Sequence, residues 1–234
     1  MNAETRQPGL FPRPPVQWRG VIVLIATALV AATVMSGLQR LTYERIEQQR
    51  QAAIVAQLRQ VVPGLSFDNA LVDERRPLQA GGFFQTDQAL WWYPLRQGNQ
   101  LQGVILDVVT PAGYNGDIRL LIGIRLDATT GNAQVSGVRV TQHLETPGLG
   151  DAVDYQKSHW VDQFIGQSLS PSSAAGDNNF WRVKRQGGGF DAISGATVTS
   201  TAMIAVVERS LRYVQQQGLD AWRHPPAEQG EPTQ

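Results

Sequence analysis

From Gly20 to Gly37 the chain reads Gly-Val-Ile-Val-Leu-Ile-Ala-Thr-Ala-Leu-Val-Ala-Ala-Thr-Val-Met-Ser-Gly, and no charged residue falls between Arg19 and Arg40. At about 1.5 Å rise per residue, about 18–20 helical residues just cover a hydrocarbon core of about 30 Å. A cleaved secretory signal is the competing reading, but its apolar region usually spans about 7–15 residues and ends in a small-x-small site. Here the run is longer, and Leu41-Thr42-Tyr43-Glu44-Arg45-Ile46 continues the helix into water. The sequence therefore predicts a retained, single transmembrane helix over residues 19–38. Before it lies a polar tail, residues 1–18, with Pro8, Pro12, Pro14 and Pro15 and no apolar period. Arg6, Arg13 and Arg19 on one flank nearly balance Arg40, Arg45 and Arg50 on the other, so basic charge alone does not orient the span. Arg19 directly abuts the apolar run and a short tail left inside is the common arrangement, which favours a cytoplasmic N-terminus with the bulk of the chain outside.

Beyond the anchor there is room for one sizeable core, since the whole chain has 234 residues. Twenty basic and twenty acidic side chains cancel, and no basic stripe interleaved with aromatics appears, so nothing points to nucleic acid. There is no cysteine, which excludes disulfides, thiolate metal sites, Cys-ligated iron–sulfur clusters and a Cys nucleophile. Any redox chemistry must sit on a cofactor held by other means. No Gly-x-Ser-x-Gly elbow, Walker A loop or His-Glu-x-x-His pair is present.

Residues 39–62 are expected to form a juxtamembrane helix with Ile46, Ala53, Ile54, Leu58 and Val61 on one face, ended by Pro63-Gly64. Residues 63–99 show weak periodicity and read as a connecting region of loops and short strands packed on the domain. Val104–Val109, Ile118–Leu126 and Val135–Val140 read as strands, the last two separated by a turn from Asp127 to Asn132. Residues 154–165 place Trp160, Val161, Phe164 and Ile165 on one helical face. Pro171 to Asn179 reads as a polar loop, and Phe180–Arg185 and Phe190–Ile193 as short strands around Gly187-Gly188-Gly189. Residues 198–216 give the clearest amphipathic helix, with Met203, Ile204, Val207, Leu211 and Val214 at spacings of three and four. The domain is bounded at 100–217, with residues 218–234 as a disordered tail.

At the head of that last helix stands Asp191-Ala192-Ile193-Ser194-Gly195-Ala196-Thr197, followed by Thr199, Ser200 and Thr201. The residues alone admit two readings. Ser and Thr hydroxyls beside a glycine are what a plain N-cap needs. The same small-residue helix entrance also offers free N–H groups and a positive dipole end to a phosphate. Glu145-Thr146-Pro147-Gly148-Leu149-Gly150 is likewise either a surface turn or a tightly curved loop whose backbone can lie against a flat ring, with Leu149 covering its apolar face. Gly148-x-Gly150 is not a dinucleotide fingerprint, because the third glycine is missing. His143 has no partner at ligand spacing and reads as a local hydrogen-bonding group, while Trp160 and Phe164 read as core.

Asp191-x-x-Ser194-Gly195-Ala196-Thr197 resembles the flavinylation motif of the FMN-binding domain family. Three further segments resemble the same family in the same order: Gly113-Tyr114-Asn115-Gly116-Asp117-Ile118, His143-Leu144-Glu145-Thr146-Pro147-Gly148-Leu149-Gly150, and Trp160 to Gly166. The likeness covers about residues 100–215. It implies an α+β fold, a mainly antiparallel sheet with flanking helices, and FMN bound covalently through its phosphate to Thr197. It implies a cofactor site of Thr197, Ser194, Gly195, Ala196, Asp191, Glu145, Thr146, Gly148, Leu149 and Gly150, with no metal and no catalytic residue in this chain. Thr199 is the rival acceptor. A separate flavin transferase using FAD and magnesium would make the ester, and Asp191 would either meet that transferase or cap a turn. With one anchor and this length, the chain is similar to the G-subunit family of Rnf-type ion-translocating electron-transport complexes. The C-subunit family of sodium-translocating NADH:quinone reductases shares the plan. Both imply an electron carrier embedded among other subunits and the lipid of a bacterial inner membrane, with the main domain periplasmic. The Rnf likeness implies a complex that couples electron transfer between NADH and ferredoxin-type carriers to ion translocation across that membrane. A non-redox membrane-tethered scaffold, or a stand-alone flavin-binding regulator or reductase, are the alternatives.

Overall fold

The structure is a computed structural model that describes residues 18–127, 129–169 and 179–223. The tail expected at the N-terminus (to residue 17), the loop expected from Pro171 (to residue 178) and the tail from His224 lie outside the described residues. The chain divides into two compact units, residues 1–50 and 51–234.

Helix α1 spans Trp18–Gln60. Its apolar segment Gly20–Gly37 has no side chain buried against protein and is long and apolar enough to cross a membrane. The two threonines within it donate to the preceding turn, Thr27 to the Val23 and Leu24 carbonyls and Thr33 to the Leu29 carbonyl. Their hydroxyls therefore ask nothing of the lipid.

In the second unit a five-stranded antiparallel meander carries the fold, in the order β1 (Arg76–Pro77), β2 (Trp91–Gln97), β3 (Gln100–Gly113), β4 (Gly116–Leu126) and β5 (Ala133–Gln142). A one-turn helix, α2 (Gly81–Phe84), precedes β2. The long helix α3 (Thr197–Arg223) follows the sheet and carries a break at Gly218, which sits at φ +72°. This is the α+β architecture expected. Strand residues alternate between two cores, as the period of two requires. Val104, Leu106, Val108, Ile118, Leu120, Ile122 and Ile124 face α3, where Met203, Ile204, Val207, Leu211 and Val214 cover them. Ile105, Leu121, Tyr93 and Leu95 face the other way, onto Leu58, Val61 and Val62 at the end of α1. Each fully buried Leu or Ile contributes about 1.5–3 kcal/mol.

Three local expectations are corrected. Residues 154–165 do not form one helix. Asp154 starts a turn that Lys157 and Ser158 close with their N–H groups, and the Ser158 hydroxyl accepts from the Trp160 N–H. Only Trp160–Phe164 is then helical, as a 3₁₀ turn, and Ile165 is left 44% exposed. Phe180–Arg185 and Phe190–Ile193 are not strands. They reduce to a single parallel bridge, Val183 to Phe190, because a 3₁₀ turn at Lys184–Gln186 and Gly187 at φ +82° curl the chain back at once. Finally, α3 does not stop at 217. Beyond Gly218 it runs on to Arg223, and Trp222 is buried edge-on against Trp92, its indole N–H on the Val214 carbonyl.

Candidate functional site

Four separate stretches of sequence meet at one end of the sheet. The tight β3–β4 hairpin brings Asn115 beside the loop after β5. The Asn115 N–H donates to Glu145 Oε1 at 3.3 Å, and its side-chain amide donates to Thr146 Oγ1 at 3.1 Å. The other Glu145 oxygen accepts from the Thr199 hydroxyl at 2.6 Å, across 54 residues of chain, inside the first turn of α3. From the same loop, Leu149 reaches Gly195: a Cβ built there would come within 2.8 Å of Leu149 Cδ2, and Gly195 sits at φ +76°. Its lack of a side chain thus serves both the backbone turn and the close approach.

The helix entrance is ordered from within. The Ile193 N–H donates to Ser200 Oγ, and that hydroxyl donates to the Ala196 carbonyl. Ser200 N–H bonds the Ala196 carbonyl at 3.0 Å, so the N–H groups of Thr197, Val198 and Thr199 precede it in the first turn, where an α-helix gives them no internal acceptor. No acidic residue occupies that turn in sequence. Thr197 opens the helix with its side chain exposed, and Ser194 and Gly195 beside it are exposed too, while Ala196 is buried. Thr199, the rival acceptor, is fully buried and its hydroxyl is committed to Glu145. Thr201 is exposed, but its hydroxyl donates back to the Thr197 carbonyl at 2.8 Å.

Asp191 is held through its backbone. Its carbonyl accepts from the Trp160 indole N–H at 2.8 Å, and its N–H donates to Gln163 Oε1 at 2.8 Å. Its carboxylate is exposed and meets Lys184 Nζ at 2.7 Å. A surface pair of this kind contributes about 0–1 kcal/mol, so it orients the segment more than it stabilises it. Trp160 is thus half core and half clamp, packing edge-on against buried Phe164 while its N–H fixes the motif. His143 has the local role expected of it, accepting from the Glu145 N–H through Nδ1 at 3.2 Å. Gly148 at φ +79° turns the loop, its N–H bonded to Asp151, and Gly150 starts a 3₁₀ turn.

Sequence reasoning assigns no role to Asn115, Gln163 or Lys184. Asn115 and Gln163 stand inside the matched segments, and only their partners show why. Lys184 lies outside them and carries no signal. No group of His, Cys, Asp or Glu among the described residues is arranged to hold a metal ion.

These residues fit a flavin phosphate on chemical grounds. An exposed hydroxyl stands at a helix start beside N–H groups that have no intrahelical partner, flanked by small residues, with the apolar Leu149 left 45% exposed beside it. A cavity of about 1080 Å³ lies at the opposite end of the strands, lined by Gln102, Arg125, Asp127, Asn132 and Gln134, and no motif residue borders it.

Residues 113–212 match the FMN-binding domain family. A protein of Pseudomonas aeruginosa, named as the G subunit of an ion-translocating oxidoreductase complex, is 39% identical over 214 residues, which is 91% of this chain and 92% of that one. A protein of Shewanella loihica with the same name is 38% identical over 194 residues, 83% and 85% of the two chains. One from Vibrio atlanticus is 34% identical over 196 residues, 84% and 87%.

Proposed function

The chain belongs to the family of G subunits of ion-translocating oxidoreductase complexes and carries its FMN-binding domain, and from that premise we propose that it is an electron carrier whose FMN is esterified through its phosphate to Thr197. FMN is the cofactor, and the protein works as one subunit of an oxidoreductase complex, not as an enzyme alone. The apolar helix Gly20–Gly37, long and apolar enough to cross a membrane, supports a single-pass anchor. We place the N-terminus in the cytoplasm and the flavin domain in the periplasm, on the strength of Arg19 against the apolar run.

The observation that carries the attachment site is the contrast between two neighbouring threonines. Thr197 is exposed at the first position of α3, whereas Thr199 is buried and bonded to Glu145. A Thr hydroxyl is a poor nucleophile unaided. A separate flavin transferase therefore makes the ester, moving the FMN phosphoryl group of FAD to Thr197 Oγ1 as AMP leaves. Ser194, Gly195 and Ala196 leave room for that approach, and the N–H groups of the first turn receive the phosphate oxygens. Trp160, Gln163 and Lys184 hold Asp191 in the presented segment. Thr146, Gly148 and Leu149 form the side of the seat against which the ring rests, and Gly150, buried against Glu145, shapes the loop behind them.

Bound flavin supplies one- and two-electron transfer, and the fold sets its position and exposure. An ester tether removes the risk of losing the cofactor. The test is the full-length protein made together with a flavin transferase. In-gel fluorescence after denaturation should show covalent flavin, and peptide mass spectrometry should place FMN phosphate on Thr197. Thr197→Ala should abolish the label while leaving the fold intact. An unlabelled parent, or a label that moves to Thr199 or Thr201 at full yield, defeats the assignment.

A further inference from the structure

We propose that Glu145 is a positioning residue, a buried pin that locks the flavin seat without touching the flavin. The inference rests on the reading of Thr197 as the FMN site. Only 5% of Glu145 is exposed and both of its oxygens are taken by protein donors, so it is not free to act as a direct ligand. Each of its two oxygens instead serves a different element. Oε1 accepts from the Asn115 N–H in the β3–β4 hairpin, and Oε2 accepts from the Thr199 hydroxyl in α3. A third element, the loop itself, is held because Glu145 belongs to it and its N–H is fixed by His143.

The surrounding glycines fit this role. A Cβ on Gly150 would overlap Glu145 Oε2, and a Cβ on Gly113 would lie 2.8 Å from Oε1, so the carboxylate fills the space these two residues leave. Leu149 stands next to Gly150 and touches Gly195. The pin therefore fixes the distance between the loop that carries Leu149 and the helix start that carries Thr197. Burying a carboxylate is costly unless donors reach it, and here a hydroxyl and a backbone N–H do. The pin is geometric. Glutamine can replace it, with its carbonyl on the Asn115 N–H and its amide on the Thr199 oxygen, because a Thr hydroxyl also accepts. Alanine cannot. Nor can the seat stay intact when Thr199 becomes Val, a nearly isosteric change that removes the donor.

The experiment uses the full-length protein in detergent, made with a flavin transferase, as parent, Glu145→Gln, Glu145→Ala and Thr199→Val. Flavin fluorescence anisotropy reports whether the tethered ring is held, with the denatured parent as the reference for a free ring. Hydrogen exchange over residues 115, 146–151 and 195–199 reports the pin in protein with no flavin. Glu145→Gln should keep the parent anisotropy and protection. Glu145→Ala and Thr199→Val should lower anisotropy most of the way to the denatured reference. They should also speed exchange about tenfold or more in the loop and helix start together, while the β3–β4 amides stay protected. If Glu145→Ala does not fold, Thr199→Val decides alone. Parent-like anisotropy and exchange in Thr199→Val overturn the pin, as does a Glu145→Gln that behaves like Glu145→Ala, which would make charge the agent. A parent with no flavin on Thr197 defeats the site reading instead, and the exchange data still decide the pin.

Discussion

On one face of the sheet, α3 lays Met203, Ile204, Val207, Leu211 and Val214 over the long strands, and Phe164, Trp181 and Phe190 extend that core to the 3₁₀ segments. On the other face the end of α1 meets the sheet at a notch. Gly123 and Gly137 are register partners on β4 and β5, and a Cβ on either would strike the backbone of Val61. Ser136 closes the notch, its buried hydroxyl donating to the Val61 carbonyl at 2.9 Å. The first face is held by area, which tolerates small changes and sustains the domain. The second has a smaller apolar cluster around Leu58, Val61, Leu95, Ile105 and Leu121, and adds to it a close approach of backbone to backbone. The flavin seat grows from the first face, at the head of α3, so its geometry depends on the stable side of the molecule.

Met203→Ala puts that difference to the largest test. Met203 is fully buried, and truncating such a side chain costs about 2–5 kcal/mol. Thermal unfolding of the full chain in detergent should show one lowered transition for the whole domain. A loss confined to part of it would mean that α3 is not the main support.

Gly123→Ala should cost less, about 1–3 kcal/mol, because the added methyl forces Val61 away without removing buried area from the α3 side. Hydrogen exchange should quicken over residues 52–65 while α3 and the strand amides keep their protection. Global loosening equal to that of Met203→Ala would erase the distinction between the faces. Ser136→Ala is gentler still. It deprives the Val61 carbonyl of its hydroxyl donor, at about 1 kcal/mol, with the same local signature. An unchanged exchange rate at residues 58–64 would show that the glycine notch alone seats the helix.

The elements legible in the sequence were those governed by period. The face of α3, the strands β3 to β5 and the apolar span all follow from spacing and length. Strand β2 was weaker in the pattern because Pro94 sits inside it. Its tolerance has a local cause: β1 ends at the register of Trp91 and Trp92, and beyond it the Asn69 side-chain amide pairs with the Pro94 carbonyl and the Arg96 N–H in place of a neighbouring strand. The segments around 154–165 and 180–193 misled because their apolar spacing is helical or extended over too few residues to resist capture by Ser158 and by the glycines. At the site, the four motif segments could be seen one by one. That Glu145 reaches Thr199 and Asn115 could not, because contacts across 54 and 30 residues leave no trace in local spacing.

The smallest effect concerns charge on the α1 face. Asp107 and Arg119 form a two-point pair there, at 2.8 Å and 3.1 Å. Burial raises the Asp107 carboxyl above its ordinary 3.8, and the hydrogen bond and charge of Arg119, with the charge of Arg75, only partly oppose it. Tyr93 on the same face is raised as well, first by burial and then by the Asp107 charge. Because the folded value of Asp107 exceeds the unfolded one, its contribution to stability is fully present below the unfolded value and is lost as pH rises through the folded one. The window opens near 3.8 and extends upward. Asp107→Asn has no such titration. Its stability relative to the parent, from denaturant midpoints of the full chain at a series of pH values, should therefore climb across that window and then level off. A difference that falls instead would show that the Arg119 pair outweighs burial. The α1 face would then be held by charge as well as by the notch, and the contrast with the α3 face would be one of electrostatics as much as of area.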